Sequence, residues 1–173
     1  MDAQQRREAI AKAIKISTKP ISASALAKQF HVSRQIVVGD VALLRASGCS
    51  IIATPRGYVN QEKDVEEQGF LHTIAVQHNM EQLEDEIYTI VDLGGALLDV
   101  IVEHPFYGEL KGNLHIYSRY DADQFFQQMK QHDAIPLSNL TNGLHLHTIR
   151  VQNEDSYHRI LQTLESKGFL YTK

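Results

Sequence analysis

The sequence predicts two domains of unlike build: a small basic helical unit closed by a β-hairpin, then an α+β open-faced sandwich. Three observations carry this. At 173 residues the chain has room for one domain or two small ones. Its charge is split: residues 1–60 hold nine Lys or Arg against three acids, while the remainder holds eight against eighteen, within a net charge of −4. Apolar periodicity is purely helical as far as Ala46 and then changes to alternating strands and helices.

Ordinary globular composition, 43% apolar and 22% charged, argues against disorder. The single cysteine, Cys49, excludes an internal disulfide and any cysteine-built zinc finger. Neither a signal-peptide pattern nor an apolar run of the ~18–20 residues that span a bilayer is seen, so a reducing cytoplasmic setting without membrane contact is expected.

In the first sixty residues, Ile10, Ala13 and Ile14 give Ala3–Ile16 a helical stripe, and Pro20 stops it. Ser22 is placed to cap a second helix through Leu26 and Ala27. Phe30-His31-Val32 interrupts. Ser33 then caps a third helix with Val37, Val41 and Leu44 on one side, ended by Gly48. Ser50–Ala53 and Tyr58–Asn60 flank Thr54-Pro55-Arg56-Gly57, a hairpin with turn chemistry at its tip. Three helices and a hairpin make a winged helix-turn-helix over residues 1–60.

The third helix of such a unit enters the major groove by its N-terminus. Ser33 is placed to hold a phosphate there, and Arg34 and Gln35 to bond base edges. Arg56 at the wing tip faces backbone or minor groove. Ser22 and Arg45 complete the expected DNA-binding set. Val38 and Gly39 stand where such helices more often carry polar or basic residues, so fewer base hydrogen bonds and apolar contact with a thymine methyl are expected. The competing reading is a protein-interaction module. The segment ISASALAKQFHVSRQIVVGDVALLRASG resembles the winged helix of bacterial regulators in the biotin-repressor group, at Leu26, Ala27, Val32, Ser33, Arg34, Asp40, Leu44, Arg45 and Gly48.

QEKDVEEQG, residues 61–69, reads as a polar linker or short exposed helix. Residues 70–173 form the second domain. Phe70–His78 alternates as a strand. Asn79 caps a helix from Met80 to about Asp92, and Gly94-Gly95 ends it. Ala96–Glu103 is a strand, His104–Gly108 a turn, and Gly112–Ser118 a strand. Asp121 is expected to cap a helix through His132. Gly143–Val151 is a strand, Asn153 caps the last helix, and Phe169–Tyr171 is expected as an edge strand. The order β-α-β-β-α-β with a trailing helix predicts one sheet face covered by helices.

Eight of the nine histidines lie beyond residue 70. His145 and His147, two apart on a strand, leave the same face. His78 ends the first strand on the face of Ile74 and Val76. Glu86 falls about 60° from Leu83 at about 100° per residue, beside the buried stripe of its helix, whereas Glu81, Glu84 and Asp85 point away. His78, Glu86, His145 and His147 thus offer three nitrogens and one oxygen to a first-row metal. The competing reading is a group of hydrogen-bonded polar residues near a sheet edge.

Residues 70–171 resemble the 3H domain, in HTIAVQH with Glu86 eight residues on, IVDLGGALLDVIVEHPFYGELKGNL, SRYDADQF, PLSNLTNGLHLHTI and LESKGFL. With the winged helix before it, the chain is identified as a member of the NiaR family of niacin-responsive transcriptional repressors. The resemblance implies control of genes for NAD biosynthesis and niacin uptake, and one transition metal per chain (nickel or zinc) held by His78, Glu86, His145 and His147. The expected switch is a metal-dependent one with nicotinic acid as corepressor, and Arg119, His104 and Tyr107 as further effector contacts. A homodimer on a palindromic double-stranded operator is expected, and no enzymatic activity. Two alternatives stand beside it: a metal-responsive regulator indifferent to niacin, and a metal-dependent enzyme with a DNA-binding appendage.

Overall fold

The computed structural model describes residues 2–61 and 69–172, so the expected linker, but for Gln61 and Gly69, lies outside the described residues. The chain divides into two compact units, Met1–Glu67 and Gln68–Lys173.

The first unit contains α1 (Ala3–Ile16), α2 (Ala23–Phe30), α3 (Arg34–Ala46) and the antiparallel hairpin of β1 (Ile51–Thr54) and β2 (Gly57–Asn60). The helix starts follow from side-chain caps: Asp2 accepts from Gln5 N, Ser22 from Ala25 N and Ser33 from Ile36 N. Ile10, Ile14, Leu26, Val37, Val41, Leu44 and Ile51 form one buried core. Asp40, buried on α3, accepts from Arg6 Nε at 2.6 Å and so ties α1 to the third helix. The wing is fastened by a pair of backbone bonds between Ile21 and Tyr58. A side chain at Gly57 would meet the Ile21 carbonyl carbon at 2.4 Å, and its φ is +136°, so this turn requires glycine.

The second unit is a four-stranded antiparallel sheet in the order β3-β6-β4-β5. Its strands are β3 (Phe70–Gln77), β4 (Ala96–His104), β5 (Gly108–Ile116) and β6 (Leu144–Val151). The helices are α4 (Leu83–Asp92), entered through a 3-10 turn at Met80–Gln82, α5 (Arg119–Gln131) and α6 (Glu154–Ser166). A second 3-10 segment covers Leu137–Thr141. Ile74, Val76, Leu97, Leu114, Ile116, Ile149 and Val151 face Ile87, Ile90, Ala122, Phe126, Ile160 and Leu164 of the helices in one core. The opposite sheet face is more open: Thr73 is exposed, Leu146 and Thr148 half-buried.

Three local expectations are corrected. Strand β5 starts at Gly108 rather than Gly112, because Gly108–Lys111 pair with Ile101–His104 in a longer hairpin. Helix α5 starts at Arg119 under a Ser118 cap; Asp121, expected as the cap, instead accepts from Tyr117 N in the same turn. Phe169–Tyr171 contributes only the isolated bridge Val76–Leu170 beside β3.

Candidate metal centre and nucleic-acid face

The last residue before β6 and the first after β3 meet at one end of the sheet. Gly143, at φ +85°, packs so closely on His78 that a side chain there would lie 2.1 Å from the His78 carbonyl oxygen. This close approach aligns His78 with His145 and His147, whose side chains leave the helix-covered face of β6. Glu86 rises from the first turn of α4 beneath them. The four are at most 8% exposed, and Glu86 is fully buried.

Each imidazole is held by the same device. The Nδ1 atoms of His78, His145 and His147 lie 2.8, 2.8 and 2.6 Å from the carbonyl oxygens of Asn79, Gly143 and Asp99. A carbonyl only accepts, so each Nδ1 donates; Nε2 then presents a lone pair in the neutral ring and a second N–H, able to donate to Glu86, in the charged ring. All three Nε2 atoms turn inward. The Nε2 atoms of His145 and His147 are 3.0 Å apart. Glu86 bonds His78 Nε2 through Oε2, while its Oε1 lies 3.1 Å from His147 Nε2 and 3.6 Å from His145 Nε2. Oε1 is buried and makes no well-directed hydrogen bond, although His147 and His145 face it. Ligand atoms of His78, Glu86 and His145 all fall within 4.8 Å of one another, and His147 joins through its two short contacts.

Burial disfavours charging His78 and His147, but the Glu86 carboxylate outweighs it and holds both above the ordinary histidine value. For His145 burial prevails and, with charge on His147, lowers it. Burial alone would raise Glu86; the charge on His147 and hydrogen bonds from the three histidines instead keep it well below the usual carboxylate range. Three inward Nε2 atoms around one carboxylate in a dry site call for positive charge, carried by protons on the rings or by a shared cation. The donor set, three imidazole nitrogens and one carboxylate with every second ring nitrogen anchored, fits a divalent first-row metal.

Residues beyond the expected four support the group. Asp99, an acid inside the apolar run ALLDVIV, gives its carbonyl to His147, accepts Thr148 N at 2.8 Å through its carboxylate and pairs with Lys111 at 3.1 Å. A charge in an apolar strand was the signal for it. Phe169 sets its ring edge-on to His78 at 5.7 Å.

The expected effector contacts are not gathered here. Arg119 opens α5 beyond the end of β5 where Ile116 pairs with Leu97, itself opposite Ile149. That is four residues along β6 from His145, about 13 Å at the rise of a strand. Its guanidinium pairs with Asp92 at 2.5 Å and lies over the Tyr88 ring at 4.1 Å. His104 is at the same end of the sheet as the histidine cluster, but its Nδ1 accepts from the N–H groups of Phe106 and Tyr107 and closes the β4–β5 turn. Tyr107 is 69% exposed in that turn.

In the first unit, Ser33, Arg34 and Gln35 are exposed at the start of α3. The Ser33 and Ser22 oxygens cap their helices, which leaves each hydroxyl hydrogen for a phosphate. Arg45 is exposed in the last turn of α3, and Arg56 is half-buried in the wing turn.

Residues 71–173 match the family model of the 3H domain and residues 6–59 that of an HTH domain. The chain is 40% identical to the "Probable transcription repressor NiaR" of Thermotoga maritima, over 96% of its own length and 94% of the relative's. It is 37% identical to the "Transcription repressor NadR" of Bacillus subtilis, over 95% and 92%. Among the described residues no helix is long and apolar enough to cross a membrane.

Proposed function

We propose that this chain, which belongs to the NiaR family of transcription repressors, represses genes of NAD biosynthesis and niacin uptake with nicotinic acid as corepressor. The observation that carries this reading is the buried cluster of three anchored histidines and Glu86 inside the 3H domain. His78, Glu86, His145 and His147 would hold one nickel or zinc ion. When bound, such an ion supplies a Lewis-acid position for the pyridine nitrogen or the carboxylate of nicotinic acid, and positive charge in an acidic domain.

The chain's own residues set the rest. Asn79, Gly143 and Asp99 fix the ring orientations through their carbonyls, so the cluster admits no rotation of the imidazoles without breaking a bond. A pyridine ring reaches atoms this deeply buried only when a covering segment moves. Leu137–Thr141 packs on β4 and β6, and Phe169 covers His78. Ligand-dependent displacement of these segments is the change that operator binding would read, since a ligand shifts an equilibrium only by its differential affinity for the two states. A two-fold homodimer presents two copies of α3 to a palindromic operator one helical turn apart. Ser33, Arg34 and Gln35 would contact the major groove, with Ser22, Arg45 and Arg56 on the backbone.

Calorimetric titration of the metal-loaded protein with nicotinic acid tests the proposal, with metal-free protein and nicotinamide as controls. Binding heat is expected with metal and nicotinic acid together. At about 100 times its dissociation constant the ligand adds about 2.7 kcal/mol, visible as a raised melting temperature. Nicotinic acid bound equally well by chelated protein would remove the metal from the switch. Operator binding that follows metal load but ignores niacin would make the chain a metal sensor.

A further inference from the structure

The outward face of α3 is built from residues that the fold does not ask for. Val37, Val41 and Leu44 bury the inner side at 0, 2 and 8% exposure. On the outer side Ile36 and Val38 stand in solvent at 42 and 40%. Between them in projection lies Gly39, where an added side chain would meet nothing within 4 Å. Its backbone is helical, so neither conformation nor packing in the unit demands glycine. A mid-helix glycine weakens a helix relative to alanine. A glycine with this cost and no internal reason marks a surface that another molecule approaches at backbone distance. The acid of α3, Asp40, is turned inward onto Arg6, while Arg34 and Arg45 are exposed. The approaching molecule is therefore a polyanion with apolar points on its surface. The major-groove floor of duplex DNA meets both conditions, since thymine methyl groups project there.

We propose that Ile36 and Val38 read thymine methyl groups, with Gly39 letting α3 seat close to the bases, so that half-site specificity rests on methyl contact as much as on the hydrogen bonds of Arg34 and Gln35. This rests on the DNA-binding reading above and names the chemistry that the helix recognises.

The test begins with selection of bound duplexes from a random library by the full-length protein, loaded with nickel or zinc and nicotinic acid. The selected site is then made with deoxyuridine in place of thymine, which deletes the methyl group and keeps every hydrogen-bonding atom. Affinity is expected to fall about fourfold for each contacted methyl, the worth of one buried methyl group. Ile36→Ala and Val38→Ala should each abolish the thymine–deoxyuridine difference at one position per half-site. Gly39→Leu should hold or raise the melting temperature while lowering affinity for the selected site at least tenfold. That opposition of signs distinguishes a groove contact from a folding defect. Equal affinity for the two duplexes, or a Gly39→Leu protein that binds normally, overturns the proposal. Loss of self-association by Ile36→Ala in sedimentation, with equal affinity for the two duplexes, would assign the patch to a second copy of the chain. Failure to select any duplex would overturn the DNA-binding reading itself, a different outcome from selection followed by indifference to the methyl.

Discussion

Glu86→Gln isolates the role of charge in the histidine cluster. The substitution keeps shape and length at a fully buried position. In the metal-free protein it removes a carboxylate whose Oε1 makes no well-directed hydrogen bond and supplies an amide that can donate to the inward Nε2 atoms. The metal-free variant should therefore fold, with a melting temperature close to that of the parent. With metal the outcome differs. Loss of a partner that merely orients a ligand already costs metal affinity 10–100-fold, so loss of the direct carboxylate is set at about 100-fold. At a metal concentration about 1,000 times the parent's dissociation constant, the parent gains about 4.1 kcal/mol and the variant, then at about 10 times its own constant, about 1.4 kcal/mol. The difference of about 2.7 kcal/mol corresponds to at least about 10 °C in the melting of a domain of about 100 residues. Differential scanning calorimetry of both proteins, chelated and then loaded with nickel or zinc, reads this directly. Equal metal-induced shifts in parent and variant would refute the assignment of Glu86 as a ligand.

Gly143→Ala places a methyl 2.1 Å from the His78 carbonyl oxygen at φ +85°; the left-handed backbone alone costs about 1–2 kcal/mol. Melting should fall and metal saturation weaken, and an unchanged metal affinity would show that the Gly143–His78 approach does not position the ring. Arg34→Ala should cost about 1–3 kcal/mol in operator binding if Arg34 reads a guanine. An equal loss on random DNA in filter-binding assays would make it a phosphate contact.

The helix limits were legible because their causes are local. Ser22, Ser33, Asn79 and Asn153 announce helix starts through oxygens that accept from the third residue onward. Asp121 was expected as a cap, and the bond that moves the start back by one turn, Ser118 Oγ accepting Asp121 N, is visible only in space. The strand order β3-β6-β4-β5 and the extra hairpin residues Gly108–Lys111 depend on pairing between distant segments, which a polar stretch such as GELK does not signal. The distance of Arg119 from the histidine cluster was not legible either, because its place depends on which end of the sheet β5 finishes at.

The histidine cluster shows where sequence legibility stops in chemical terms. Side-chain type and period were enough to bring His78, Glu86, His145 and His147 to one face, because a strand alternates and a helix repeats. What makes the group chemically decisive is the backbone: three carbonyls, from Asn79, Gly143 and Asp99, that force each proton onto Nδ1 and every lone pair inward. Carbonyls carry no signature in the sequence. Histidines with free tautomers could satisfy one another and Glu86 by donating; these have no spare proton at Nε2 in the neutral state. The site is therefore satisfied either by protons taken up at Nε2, which Glu86 favours at His78 and His147, or by a cation in their place.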